Sequence, residues 1–144
     1  GLADWLGQAT GWPIHIATQG QQPLPGHAYL AGDGTHMCLD RARRLTLHHG
    51  EPENGLRPAV SCLFRSVADV CGESAVGVLL TGMGKDGAEE LKLMKDRGAV
   101  TIAQDRESSV VHGMPGEAIK LGGATYVLAA DKISAKLVGL VHSR

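Results

Sequence analysis

The stretch VGVLLTGMGKDGAEEL, residues 76–91, reads as a buried-type strand, a tight turn and the opening of a helix. The turn spells G-x-G-x-x-G through Gly82, Gly84 and Gly87, with Met83 and Asp86 between the glycines. A strand feeding a helix through glycines is the elementary unit of an α/β fold, in which helices cover both faces of a mostly parallel sheet. The question it raises is whether the turn cradles an anion or presents a carboxylate.

The chain on either side repeats the same alternation. AVGVLLT (75–81) and AVTIAQ (99–104) are strands, and DGAEELKLMKDRG (86–98) is the helix between them, stopped by Gly98. MPGEAIKLGG (114–123) is a short helix with Pro115 near its start, ATYVLA (124–129) is a strand, and DKISAKLVGLVH (131–142) is a last helix with Ile133, Leu137 and Leu140 on one face. Upstream, RPAVSCLFRSVADVCG (57–72) carries Val60, Leu63, Phe64, Val67 and Ala68 at helical spacing. Pro58 suits its first position and Gly72 a left-handed stop. PIHIAT (13–18), HAYLAG (27–32), DGTHMCLD (33–40) and RRLTLHHG (43–50) are short strand candidates around turns containing Gly32, Asp33 and Gly34, which predicts a hairpin there. GLADWLGQATG (1–11) opens the chain as an amphipathic turn of helix.

With 144 residues the chain fits one domain. Its 14 Lys+Arg against 15 Asp+Glu leave a net charge of -1, without the basic stripe that nucleic acid requires. No apolar run approaches the ~20 residues of a membrane helix, and no signal-peptide pattern opens the chain. Cys38, Cys62 and Cys71 lack C-x-x-C spacing and read as free thiols of a reducing cytoplasm. Zinc would need closely spaced ligand pairs, and His48–His49 beside a distant cysteine supplies none, so neither a metal nor a cofactor is expected.

Three readings of the glycine turn compete. A dinucleotide site is supported by the motif's place and by Asp105 at the end of the next strand. Against it, a carboxylate at 86 would sit where pyrophosphate should bind; two such charges ~4 Å apart repel by ~4 kcal/mol at a dielectric of 20. The second reading is structural: DGAE has the shape of a capping box, with Asp86 accepting from the Glu89 amide. The third is catalytic, since a cap needs no glycines at 82, 84 and 87, and ligands bind at the C-terminal edge of such strands.

VGVLLTGMGKDGA, AVTIAQDRESSVVHGMPGEAI and LPGHAYLAGDGTHM together resemble the catalytic domain of the CheB-type chemotaxis protein-glutamate methylesterases, over essentially all 144 residues. The combination of T-G-M-G-x-D-G, T-I-A-Q and G-M-P-x-E-A-I is highly specific. The resemblance implies a three-layer, doubly wound α/β/α fold, mostly parallel with an antiparallel hairpin, and a Ser-His-Asp triad that hydrolyses glutamyl methyl esters on chemoreceptors. It makes Asp86 the triad acid, with Gly82, Met83, Gly84 and Gly87 as the active-site loop.

The family's nucleophile and base lie in G-A-S-T-G-G and Q-H-M segments, and this sequence contains neither. THM at 35–37 matches a later family segment, so His36 is expected to be a non-catalytic residue near the site mouth. No serine sits in a strand-to-helix elbow, and Ser108 and Ser109 read as loop residues. The chain is therefore expected to be the C-terminal portion of one methylesterase domain, spanning 1–144, without the first two strands or the regulatory receiver domain. Its implied partners are the methylated chemoreceptor and that receiver domain. By itself it is expected to be inactive, because an orienting Asp needs an imidazole and a hydroxyl. A non-catalytic receptor-docking fragment is the alternative, and the dinucleotide binder a third.

In a 3-2-1-4-5-6 strand order the two absent strands fall between PIHIAT and AVGVLLT, leaving ~9–10 Å of missing sheet and an open edge on AVGVLLT. In the longer enzyme, Asp86→Asn is expected to harm turnover more than stability, because Asn also caps well.

Overall fold

The computed structural model describes residues 1–142. Helix α1 (Leu2–Thr10) is followed by strands β1 (Ile14–Ile16), β2 (Ala28–Leu30), β3 (His36–Leu39) and β4 (Leu45–His48), and then by helix α2 (Val60–Cys71). The second half alternates: β5 (Val76–Leu79), α3 (Ala88–Asp96), β6 (Val100–Gln104), α4 (Met114–Lys120), β7 (Tyr126–Leu128) and α5 (Ala130–His142).

β5, β6 and β7 form a parallel sheet in chain order, with Val78 opposite Ile102 and Ala103 opposite Val127. The apolar runs predicted this, since a strand between two helices must bury both faces. β6 obeys most fully: Thr101, Ile102, Ala103 and Gln104 are all buried. β7 lies at one edge and is largely exposed.

β1 pairs in parallel with β2, not with β5, and among the described residues β5 has no strand on the side away from β6. The open edge expected on AVGVLLT is present.

The hairpin lies elsewhere than its sequence signal. β3 and β4 pair antiparallel, with His36 opposite His48 and Leu39 opposite Leu45, around a turn at residues 40–43. Asp40 Oδ1 organises that turn by accepting from the amides of Ala42 and Arg44, each at 2.9 Å. The Gly32–Gly34 segment instead carries the chain from one small sheet to the other. Glycine and aspartate mark a turn without saying which strands it joins.

α2 is the element around which the molecule packs. Leu63 meets Ala17, Met37 and Leu45 beneath the hairpin. Val60 and Phe64 pack on Leu79, Ala88, Leu91 and Ala118, and Val67 and Phe64 on Ala68, Met94 and Ala99. The five residues assigned by periodicity all enter these clusters. Pro58 differs from its expected place: it precedes the N-cap residue Ala59 rather than standing first in the helix. Gly72 ends α2 with a positive φ of 51°.

Candidate active site

Asp86 lies on the turn between β5 and α3 and is only 2% exposed. The capping-box expectation does not hold. The N-cap of α3 is Gly87, with no side-chain cap, and its φ of 83° turns the chain so that Asp86 faces away from its own helix. The carboxylate instead faces the start of α2. Oδ2 accepts from the Val60 amide at 2.7 Å. Oδ1 accepts from the Ser61 amide at 3.2 Å, the Ser61 hydroxyl at 2.6 Å and Asn54 Nδ2 at 3.1 Å.

α2 has no capping side chain at its own N-cap. Its orphan amides are satisfied from a distance in sequence, and the positive end of the helix dipole favours the anion they hold. One residue earlier, the Ala59 amide donates to His36 Nδ1 at 3.2 Å. That contact makes Nδ1 an acceptor and places the ring hydrogen on Nε2, which donates to the Glu51 carbonyl at 2.8 Å. His36 is fully buried. It is a structural group at the base of α2, not a residue at a site mouth, and both its nitrogens are committed.

Ser61 connects the two helices. Its Oγ donates to Asp86 and accepts from the Gly87 amide at 3.1 Å and from Asn54 Nδ2 at 3.1 Å. Sequence reasoning missed Ser61 and Asn54, which lie 25 and 32 positions from Asp86. The one local hint was Asn54 itself, whose positive φ of 52° is a backbone state that asparagine tolerates.

Because Asp86 only accepts, and only from donors, an Asn there would turn an amino group toward an N–H or hydroxyl donor. The expectation that Asn preserves the cap therefore fails in this setting. Asp86→Asn should destabilise the fold by about 1–3 kcal/mol, the usual cost of a buried unmatched polar group.

The glycine loop is fastened to the loop that follows β6. The Gly82 amide donates to the Val111 carbonyl at 2.9 Å, and the Gly82 carbonyl accepts from the amides of Gly113 and Met114 at 3.0 and 2.9 Å. Thr81 Oγ1 exchanges hydrogen bonds with the backbone of Val111, and the Thr81 amide donates to buried Gln104 Oε1 at 2.7 Å. A Cβ at Gly113 would lie 2.8 Å from both the Gly82 carbonyl oxygen and the Gly84 nitrogen, so this approach requires glycine. The T-G-M-G-x-D-G, T-I-A-Q and G-M-P-x-E-A-I segments thus meet at one place, outside the carboxyl ends of β5 and β6, where open α/β sheets bind ligands. Met83 stands 82% exposed at the tip of the loop, beside exposed Leu80, Val110 and Val111.

The dinucleotide reading loses its donors. The Gly87 amide is held by Ser61 Oγ, and the Ala88 amide by the Lys85 carbonyl at 3.1 Å. Asp105, proposed for a ribose, accepts from the amide and hydroxyl of Ser108 at 2.9 and 2.7 Å, which hold its carboxyl below the usual range. Ser108 and Ser109 are loop residues, as expected, with Ser109 Oγ donating to the Asp105 carbonyl. A polar cleft of about 450 Å³ opens beside Ser61, lined also by Asn54, Arg65, Lys85, Glu89 and Glu117. The arrangement can hold one carboxylate rigidly, and Oδ2, with a single donor, keeps room for a second.

A family model described as CheB methylesterase matches residues 1–137. The chain is 57% identical over 143 residues to "Protein-glutamate methylesterase/protein-glutamine glutaminase 1" of Syntrophus aciditrophicus (strain SB), covering 99% of this chain and 41% of that protein. It is 55% identical over 144 residues to the protein of the same activities in Nitrosospira multiformis, again covering 41% of the relative. It therefore spans about two fifths of the length of these curated relatives. Among solved structures, the CheB methylesterase catalytic domain of Thermotoga maritima superposes with a TM-score of 0.91 at 35% identity, over 96% of this chain and 75% of that one. No helix among the described residues is long and apolar enough to cross a membrane.

Proposed function

The chain belongs to the CheB methylesterase family, and from that premise we propose that it is the aspartate-bearing part of a protein-glutamate methylesterase of bacterial chemotaxis. The substrate is a glutamyl methyl ester on a chemoreceptor, and the products are the glutamate side chain and methanol. The observation that carries the reading is the fixed, buried Asp86 carboxylate, held by four donors yet with Oδ2 only singly engaged.

In a Ser-His-Asp mechanism the hydroxyl attacks the ester carbonyl and the imidazole takes its proton, then returns it to the departing methoxide. The aspartate holds the imidazole in one tautomer and stabilises its cation. Asp86 suits the last role because its donors leave it one orientation. The serine and histidine come from segments that this sequence does not contain. The relatives' names also carry a glutaminase activity. Hydrolysis of a glutamine side-chain amide passes through the same acyl-enzyme, with ammonia as the leaving group in place of methanol. Cytoplasmic placement and a receiver domain that gates access to the site complete the reading.

The test is methanol release from methylated receptor membranes by the full-length protein that carries this segment. Asp86→Asn should lower kcat by roughly 10⁴-fold, as loss of tautomer control does in such triads. Assays are run well below the variant's melting temperature, so that its expected loss of stability is not read as lost chemistry. A folded variant with near-normal turnover would make Asp86 a purely structural anchor for α2. The 144-residue chain alone should release no methanol, and robust hydrolysis by it would mean that it holds its own nucleophile.

A further inference from the structure

On the face of the β3–β4 hairpin opposite Met37 and Leu45, the strand register gathers side chains that the sequence keeps far apart. His36 and Cys38, two residues apart on β3, point to one side, and His48 opposite His36 points there too. The His36 and His48 rings lie 5.2 Å apart. Cys62, in the first turn of α2, meets them from the other side. The ligand atoms of Cys38, His48 and Cys62 all lie within 4.8 Å of one another. His48 Nε2 is 3.4 Å from Cys38 Sγ, close to the ~3.5 Å between sulfur and nitrogen on a tetrahedral zinc ion with bonds of 2.3 and 2.0–2.1 Å. Glu53 Oε2 lies 2.6 Å from Cys62 Sγ.

We propose that Cys38, His48 and Cys62 form a binding site for a thiophilic divalent cation, zinc above all, with the fourth position open to solvent. Two thiolates and a neutral imidazole are the donor set that zinc prefers over magnesium or calcium. His36 belongs to the surroundings rather than the ligands, because the Ala59 amide and the Glu51 carbonyl occupy its ring. On binding, the two S–H bonds break, two metal–sulfur bonds form, and two protons pass to solvent. The His48 hydrogen moves to Nδ1, giving up the 3.4 Å contact of Nε2 with Cys38 Sγ and the long 3.3 Å contact from the Gly50 amide. His48 is exposed and gives the ion a way in, while Cys62 is buried.

In the metal-free chain the thiols hold their protons. Burial and the Glu53 carboxylate push Cys62 up to about 12, and burial raises Cys38. Because two protons leave on binding, affinity rises with pH. A bound ion would fasten the hairpin to α2 at the residue next to Ser61.

The full chain, without a histidine tag, is titrated with cobalt(II) under reducing conditions and followed by absorption, then with zinc in competition. One equivalent should bind with thiolate-to-cobalt charge-transfer bands and the intense d–d bands of a tetrahedral ion, and zinc should displace it. Cys62→Ser should abolish the charge-transfer spectrum or weaken binding by more than the roughly 10–100-fold that loss of an outer-shell partner costs. His48→Gln, a change at an exposed position, should do so without harming the fold. The other histidine pair, His15 and His27, whose ring nitrogens lie 2.8 Å apart, is the control. Binding without sulfur charge transfer, binding unchanged in His48→Gln, or binding lost in His27→Gln would each overturn the site, as would no tight equivalent at all.

Discussion

Ser61 holds Asp86 by two hydrogen bonds to the same carboxylate oxygen, one from its hydroxyl at 2.6 Å and one from its amide at 3.2 Å. The same hydroxyl accepts the Gly87 amide, so one small side chain sets both the carboxylate and the start of α3.

Ser61→Ala removes the shorter bond to Asp86 and leaves the Gly87 amide buried without an acceptor. The expected loss is about 1–3 kcal/mol in urea denaturation. A loss under about 0.5 kcal/mol, within the range of a bland surface change, would show that Ser61 is not the hub described.

Gly87 and Gly84 separate backbone strain from packing. Their φ values are 83° and 87°, but a Cβ at 87 would lie 2.6 Å from Val60 Cγ1, whereas one at 84 meets nothing within 4 Å. Gly84→Ala should cost about 1 kcal/mol from the backbone alone, and Gly87→Ala clearly more, because α2 must move away. Equal melting temperatures for the two variants would contradict the close approach of this turn to α2.

Two groups are expected to contribute to opposite limbs of the pH–stability curve. Cys62 is raised from 9.0 to about 12 by burial and Glu53. Its contribution is complete below the unfolded value and is lost as pH rises from 9.0 toward 12, because the unfolded chain releases that proton first. Cys62→Ala should flatten this alkaline limb, and in the wild-type chain Cys62 should resist alkylation at pH 8, where only roughly 10⁻⁴ of it is thiolate. Glu53 is lowered from 4.5, first by its hydrogen bond from Arg65. That contribution is present above 4.5 and lost as pH falls, and Glu53→Gln should remove under about 1 kcal/mol of acid dependence. Alkaline unfolding unchanged by Cys62→Ala would contradict the first assignment.

Among the described residues no strand pairs with β5 on the side away from β6. An open edge of apolar sequence pairs with whatever strand it meets, so the 144-residue chain should self-associate as its concentration rises, measured by light scattering after size exclusion. A strictly monomeric chain at high concentration would indicate that the edge is covered.

How much of this was legible depended on the range of the interaction that decided it. The alternation from β5 to α5 could be read because strand and helix periods are local, and α2 showed its core face for the same reason. The hairpin was misplaced because Gly32, Asp33 and Gly34 mark a turn as strongly as Asp40 does, and pairing is settled by strands that the turn residues do not encode. The place of His36, buried beneath Ala59, followed from no spacing.

Asp86 marks the boundary most clearly. The sequence by itself determined that an acid stands among glycines at the end of a central strand, and that the surrounding blocks are those of a methylesterase family. Only the tertiary structure decided what that acid touches. Gly87 can take a positive φ, which frees Asp86 from its own helix. The uncapped amides of α2, 26 residues away from it at Val60, then offer a better home for a charge than a single amide of α3. Likewise, the chain separates Cys38, His48 and Cys62, and only β-strand register and helix packing bring them within reach of one ion.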